Sequence, residues 1–169
     1  GLDTRPTPYG PVTVTFDSRF NLLKYGAFYT ISKPVFKNRL MLSGGFRVDG
    51  NNYSAEMSKL WNTFSPRFAA SFSVTEKWSL NFNTGRYYQL PAYTIMGYSD
   101  ASGNLINKNN DLSYIRADHL VGGVQYNPDN STKITVETFY KKYNDYPFSL
   151  SDSISLANLG SDFGVVGNE

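Results

Sequence analysis

Seven aromatic and amide side chains gather in and beside one long Asn- and Tyr-rich segment, residues 90–118. They are Tyr88, Gln89, Tyr93, Tyr98, Asn107, Asn110 and Tyr114. Tyrosine rings offer faces for stacking, and amides both donate and accept hydrogen bonds. Such groups suit a sugar, a chelate or a peptide, and loops on a rigid scaffold commonly carry recognition. The same composition is equally typical of a solvated loop without a ligand.

Catalytic groups are sparse. His119 is the single histidine, so a Ser-His-Asp triad would have to use it, yet no Gly-x-Ser-x-Gly turn accompanies it. A glycosidase needs two paired carboxylates. Most acidic residues, such as Asp100, Asp111 and Asp145, lie in predicted loops, where solvated charges are ordinary. We therefore predict that the chain is not an enzyme, with a carboxylate-based glycosidase as the less favoured alternative.

The composition also argues against metals, cofactors and nucleic acid. The chain has no cysteine, which excludes thiolate metal sites and disulfides. Segments 99–104 and 107–111 superficially resemble calcium loops but lack the spacing of an EF-hand. The net charge is only +2 and no dense Lys/Arg cluster is present, so a phosphate-tracking surface is not expected. We predict no cofactor, no bound metal and no nucleic-acid partner.

Six segments of alternating polarity predict β-strands, at residues 24–34, 39–49, 66–74, 78–89, 119–126 and 132–142. In 39–49, Leu40, Leu42 and Phe46 share one face, and Arg39, Met41, Ser43, Arg47 and Asp49 share the other, which is the period of a sheet with one apolar face. The opposite, polar face is predicted to carry Arg47, Arg67, Asn81, Asn83 and Glu137. Soluble sandwiches alternate in the same way, so alternation alone does not decide the class.

The connectors distinguish the classes. Segments 35–38, 75–77 and 127–131 are short, whereas 50–65, 90–118 and 143–162 are long. Outer-membrane barrels pair short periplasmic turns with long extracellular loops. Most of the strands also reach the roughly 9–11 residues that a tilted membrane-spanning strand needs. The pattern predicts an all-β fold, an antiparallel up-and-down meander that is a partial segment of a large transmembrane barrel.

Aromatic residues near the strand ends suit the girdles that such barrels place at both membrane interfaces. They are Tyr25, Trp61, Phe64, Trp78, Tyr87, Tyr88, Tyr126, Tyr140 and Tyr143. The polar-faced Arg47, Arg67 and Glu137 would be costly against lipid. We therefore predict that the polar face lines the lumen.

Several segments, in this order, resemble the barrel of TonB-dependent outer-membrane receptors. They are residues 42–49 (LSGGFRVD), 64–68 (FSPRF), 85–91 (GRYYQLP), 136–147 (VETFYKKYNDYP) and 167–169 (GNE). The resemblance covers roughly residues 24–169. It implies location in the bacterial outer membrane, contact with lipid, and energy-coupled import of a small-molecule or glycan substrate such as a siderophore, vitamin or glycan. It also implies a plug domain and TonB as partners in the full-length protein.

The resemblance further implies a barrel of about 22 strands, of which residues 1–169 would form one segment of six to seven strands without the plug. Both ends of the chain look cut, and 163–166 looks like the start of another strand. A soluble extracellular β-sandwich that binds carbohydrate is the alternative from another class. For the isolated segment we expect the apolar face to be hidden by dimerisation or by the aromatic loops 90–118 and 143–162.

Overall fold

A six-stranded antiparallel sheet dominates the computed structural model, which describes residues 2–7, 10–15, 20–99, 102–150 and 153–159. The sheet is preceded by a separate hairpin of β1 (Leu2–Thr7) and β2 (Gly10–Thr15). Its strands are β3 (Lys24–Val35), β4 (Leu40–Asn51), β5 (Ser65–Ser73), β6 (Trp78–Gln89), β7 (Ile115–Tyr126) and β8 (Ile134–Asn144). A short pair, β9 (Phe148–Ser149) and β10 (Ile154–Ser155), follows.

The strands of the sheet pair in chain order, β3-β4-β5-β6-β7-β8, and the sheet is not closed. This confirms the predicted antiparallel meander. β7 begins at Ile115 rather than at residue 119. Charged Arg116 and Asp118 hide this extension in the sequence, although Ile115 and Ala117, which alternate with them, are buried. The sequence pattern also missed the hairpin β1–β2, because prolines such as Pro6 and Pro11 usually argue against a strand.

The predicted short connectors are tight turns with identifiable chemistry. Phe36, Lys37 and Asn38 all have positive φ (50°, 55° and 67°), so a left-handed turn joins β3 to β4. Thr75 Oγ1 accepts hydrogen bonds from the N–H groups of Lys77 and Trp78. The predicted strand at 163–166 lies outside the described residues.

The third short turn, between β7 and β8, depends on Asp129. Its Oδ1 accepts from the backbone N–H groups of Ser131 and Thr132, both at 2.8 Å, and from the Ser131 hydroxyl. These hydrogen bonds hold the pKa of the Asp129 carboxyl below its usual value. The Asx turn explains how a polar segment reverses the chain here.

The three long connectors fold against one another at one end of the sheet. They contain α1 (Ala55–Ser58), α2 (Tyr93–Met96) and 3-10 turns at Leu60–Thr63, Ile106–Asn109 and Leu156–Leu159. Their buried side chains form one cluster, the loop core, which consists of Tyr53, Met57, Ile95, Met96, Leu112 and Leu156. The described parts of loops 90–118 and 143–162 do not cover the apolar face of the sheet, because Ile95, Met96, Leu112 and Leu156 are buried in the loop core instead. The other expectation for the isolated segment, dimerisation, stays a prediction.

The apolar face is one continuous surface, as the alternation predicted. Leu40, Phe72, Leu80, Val124 and Val136 stand opposite one another in a row across five strands. This surface is left bare: Leu80 is 47% exposed and Val136 is 71% exposed. A soluble sandwich would bury such a row against a second sheet. None of the helices that the structure describes is long and apolar enough to cross a membrane.

Two of the predicted girdle aromatics, Tyr87 and Tyr143, are on the polar face of the sheet and not on the apolar one. Trp78 and Tyr126 stack on the apolar face at 4.4 Å between ring centroids, near the short turns. Tyr87 and Tyr143 both stand opposite Ala117, on the polar face. Their place in an aromatic girdle is therefore wrong, because their strand positions differ in parity from Trp78 and Tyr140.

Candidate functional site

A concave site of about 650 Å³ opens on the polar face, at the end of the sheet where the long loops begin. Its lining combines three cations, one carboxylate and several aromatic rings. The lining residues are Lys24, Tyr25, Gly26, Ala27, Phe28, Arg47, Asp49, Gly50, Arg67, Tyr88, Leu90 and Tyr114. We call this the wall cavity. Strand ends of β3 and β4 supply most of it, and the β6–β7 loop supplies Leu90 and Tyr114.

A guanidinium–carboxylate fork forms the polar floor of the wall cavity. Arg47 Nε and Nη2 donate to the two Asp49 oxygens, both at 2.7 Å. The two residues share a face because they are two apart on β4. Gly26 stands opposite Asp49 and leaves room for the fork, since a Cβ there would lie 2.7 Å from Asp49 Oδ1.

The β4–β5 loop fixes the backbone beside this fork. Thr63 is buried, and its Oγ1 both accepts from the Asp49 N–H and donates to the Asp49 carbonyl. The 3-10 turn Leu60–Thr63 is thereby tied to β4 next to the fork. Movement of this loop would be transmitted directly to the Asp49 backbone.

Arg67 is the second guanidinium of the wall cavity and takes part in a stack. Its Cζ lies 4.6 Å from the centroid of the Tyr87 ring, and that ring lies 4.7 Å from the His119 ring. Arg67 makes no ion pair with any described residue. It therefore presents a positive charge to the cavity that is not paired with a carboxylate of the described residues.

Below the cavity the polar face continues as small and amide side chains. Ser32 and Ser43 hydroxyls lie 2.8 Å apart, and Ser71 donates to Asn81 at 2.8 Å. Asn81 and Asn83 are on the same face of β6. Glu137 of β8 stands in the Asn81 row, opposite Gly123. The structure thus places all five predicted polar-face residues, Arg47, Arg67, Asn81, Asn83 and Glu137, on one side of the sheet.

Two hydrogen bonds join the β6–β7 loop to the cavity wall. Lys24 Nζ donates to the Tyr93 hydroxyl at 2.6 Å, and Asn51 Nδ2 donates to the Tyr114 hydroxyl at 2.8 Å. Burial raises the pKa of the Tyr114 phenol. Because the Tyr114 hydroxyl oxygen accepts from Asn51, its hydrogen remains to be donated to a further acceptor.

The seven loop candidates from the sequence take three different positions. Tyr88 and Tyr114 line the wall cavity, and Tyr93 stands at its rim through Lys24. Gln89 ends β6 with an exposed side chain, and Tyr98 is half-buried in the loop. Asn107 is fully buried and donates to the Ile95 carbonyl, and Asn110 donates to Asn107 Oδ1. The structure thus separates three residues near a cavity from two that hold the loop together.

Sequence reasoning missed two residues that shape the cavity, Lys24 and Asn51. They stand directly opposite each other at the loop ends of β3 and β4. Extending the polar-face alternation of β4 by one step, from Asp49 to residue 51, would have found Asn51. Lys24 could then have been found only with the β3–β4 register, which requires the pairing itself.

Among the residues that the structure describes, no group of three or more His, Cys, Asp or Glu side chains is placed to hold a metal. His119 stands against the Tyr87 ring on the polar face. The described neighbours of His119 do not form a nucleophile–base pair with it. The site can bind a polar or anionic ligand by charge, stacking and hydrogen bonding.

Comparison with known proteins identifies the class that the meander, its bare apolar face and its polar cavity define. A family model described as TonB dependent receptor-like, beta-barrel, matches residues 2–168. The chain belongs to this family of outer-membrane receptor barrels. Its members are transporters of the bacterial outer membrane and not enzymes. Comparisons with curated proteins and with solved structures gave no match.

Proposed function

We propose that the chain is one segment of the barrel wall of a receptor that imports a scarce nutrient, a siderophore, vitamin or glycan, through the outer membrane. A plug domain inside the barrel and TonB on the periplasmic side supply the energy coupling. The family supports outer-membrane, energy-coupled transport. The wall and its loops contribute substrate capture, and the coupling element lies elsewhere in the receptor.

The single observation that carries this proposal is the different chemistry of the two sheet faces. One face presents bare apolar rows, as lipid contact requires, and the other presents the wall cavity with its unneutralised Arg67. In a barrel the polar face encloses the lumen. The wall cavity then lies at the extracellular end of the lumen, below the loop core.

We propose that Tyr114 and Arg67 contact the substrate inside the wall cavity. The Tyr114 ring supplies a stacking face, and the guanidinium supplies five fixed donors. Tyr88 lies at the edge of the cavity, because its side chain is hydrogen-bonded to Arg86 on the apolar side of β6. Tyr93 holds Lys24 at the rim. The other four candidates do not contact the substrate in this proposal. The loop surface carries Gln89 and Tyr98, and the loop is kept folded by Asn107 and Asn110.

The test is uptake by cells that express the receptor, using labelled ferric siderophores, cobalamin and oligosaccharides as probes. We expect uptake of one probe class that stops when the proton gradient is collapsed. Arg67→Gln should reduce that uptake about tenfold through weaker binding, since one charge-assisted contact is worth roughly 1–2 kcal/mol. Lys133→Gln, in the distant β7–β8 turn, should leave it unchanged.

Uptake that survives loss of the proton gradient would contradict energy-coupled transport. Uptake that stays gradient-dependent but is unaffected by Arg67→Gln would leave the receptor function intact. It would contradict the placement of the substrate in the wall cavity.

A further inference from the structure

A second cavity, of about 330 Å³, lies among the loops at the same end of the sheet. We call it the loop cavity. The β4–β5 loop, the β6–β7 loop, two strands of the sheet and the residue after β8 contribute to it. The lining residues that carry a charge or a ring are Glu56, Tyr88, Asp111, Tyr114, Arg116 and Asp145. The loop cavity thus combines both signs of charge with aromatic surface.

The one cation of the loop cavity lacks a close partner. Arg116 Nε lies 3.7 Å from Asp118 Oδ2, beyond hydrogen-bonding distance, and Asp118 Oδ1 already accepts from Arg86 Nε at 2.7 Å. Asn144 stands directly opposite Arg116 on β8. Arg116 Nε and Asn144 Nδ2 are both buried without a hydrogen-bond partner among the described residues. Two neighbouring donors therefore lack an acceptor in the described part of the chain, and the guanidinium can still bind a ligand carboxylate.

Two carboxylates of the loop cavity lack a cationic partner as well. Asp111 and Asp145 form no ion pair with any described residue. Glu56 differs from them, because its carboxylate pairs with Lys59. Arg116 and the two aspartates therefore line one cavity without neutralising each other. A simple anion would be repelled by the two carboxylates, and a simple cation would be repelled by the guanidinium.

We propose that the loop cavity binds a free basic amino acid such as lysine, which carries one carboxylate and two cationic groups. The carboxylate binds the Arg116 guanidinium, and the two cationic groups bind Asp111 and Asp145 through charge-assisted hydrogen bonds. The rings of Tyr88 and Tyr114 supply apolar surface for the methylene chain between these charges. A volume of about 330 Å³ suits a ligand of this size, at the small end of the roughly 300–1,000 Å³ of ligand sites.

The loop cavity is a different site from the wall cavity. Arg116 shares its strand face with Leu120, so it lies on the outer side of the wall, whereas Arg67 lies on the lumen side. Tyr88 and Tyr114 border both cavities. The amino acid is therefore a second ligand of the receptor and not the substrate of the wall cavity.

Isothermal titration calorimetry tests the proposal, with L-lysine added to the purified receptor in nanodiscs of phosphatidylcholine. Two analogues of lysine each lack one charged group. Cadaverine has no carboxylate, and L-norleucine has no side-chain cation. Each analogue should bind about tenfold more weakly than lysine, because it loses one charge-assisted contact.

Variants of the cavity test the same contacts from the protein side. Arg116→Gln and Asp145→Asn should each weaken lysine binding about tenfold. Asn suits position 145, where φ is 58°, because asparagine tolerates the left-handed region. Arg116→Gln should also abolish the preference for lysine over cadaverine, which a merely structural role of Arg116 would not do. The control Glu76→Gln removes an exposed carboxylate from the distant β5–β6 turn and should bind lysine like the parent.

Three results would overturn the proposal. One is the absence of lysine binding by the parent receptor at millimolar concentration. Another is equal affinity of the parent for lysine, cadaverine and norleucine. The third is binding that is lost in Arg67→Gln but kept in Asp145→Asn, which would place the amino acid in the wall cavity. Because calorimetry measures binding and not uptake, none of these results bears on gradient-dependent transport.

Discussion

At the scale of single residues, buried amides hold the loops in place. Asn51 is fully buried, accepts from the Tyr53 N–H at 2.8 Å and donates to the Tyr114 hydroxyl. Asn107 plays the same part between the two ends of the β6–β7 loop. The sequence suggested Asn107 as a ligand donor, because composition does not distinguish an amide that binds ligand from one that binds backbone. Because Asn107 is fully buried, its amide binds backbone and not ligand.

The first prediction follows from Asn51. Asn51→Ala should destabilise the loop core by roughly 2 kcal/mol, because it leaves a buried N–H and a half-buried hydroxyl without their partners. Hydrogen exchange of the backbone N–H groups of residues 95–97 measures the effect. The control Asn109→Ala changes an exposed amide of the β6–β7 loop, and it should lower the stability by less than about 0.5 kcal/mol. Equal exchange rates in the two variants would show that Asn51 does not stabilise the loop core.

The second prediction concerns pH and Tyr53. Burial raises the pKa of the Tyr53 phenol to about 12, and its hydroxyl donates to the Met96 carbonyl at 2.8 Å. A folded-state pKa above the unfolded value of roughly 10 means that the stabilisation is complete below pH 10. It is lost as the pH rises from about 10 to about 12. Exchange at residues 95–97 should therefore accelerate over this window, and the acceleration should be smaller in Tyr53→Phe. Identical pH profiles for the two proteins would contradict it.

At the scale of elements, the alternation of the strands was the strongest signal in the sequence. It located all six strands of the sheet, because each has one face that must differ in chemistry from the other. It failed where the alternation is not visible. Prolines obscure β1 and β2, and charged Arg116 and Asp118 obscure the start of β7. The wall cavity was only partly predictable, because Lys24 joins it through strand register and not through any local motif.

The third prediction contrasts the two faces at adjacent positions of β4. Leu42→Lys places a charge on the apolar face, and Ser43→Lys places one on the polar face. The first should cost about 2–4 kcal/mol near the bilayer midplane, and the second should cost less than about 1 kcal/mol in a wet lumen. Urea unfolding of the receptor in bilayers measures both. Equal costs for the two lysines would mean that the faces are not divided between lipid and water.

At the scale of the whole molecule, the bare apolar face and the edges of β3 and β8, which pair with no further described strand, have a common explanation. A sheet of this kind is complete only when further strands and lipid cover it. The sequence predicted an apolar face that would be hidden by dimerisation or by the loops. The loops instead bury Ile95, Met96 and Leu156 in the loop core, since three long connectors at one end can satisfy one another.

The fourth prediction concerns the 169-residue chain on its own in detergent-free buffer. It should self-associate, because two strand edges and the apolar face otherwise remain in water. Light scattering at micromolar concentration should give a mass well above that of one chain, and mild detergent should lower it. A stable monomer without detergent would contradict the account of these surfaces.

The central claim is that this sheet is a wall between lipid and lumen, and site-directed spin labelling tests it most directly. Because the chain has no cysteine, single cysteines can be placed at positions 119–125 of β7 without removing native ones. In bilayers, labels at 120, 122 and 124 should be relaxed mainly by oxygen, which concentrates in lipid. Labels at 119, 121, 123 and 125 should be relaxed mainly by a water-soluble nickel chelate, in a period of two. Labels without this alternation, or with its phase reversed, would contradict the claim.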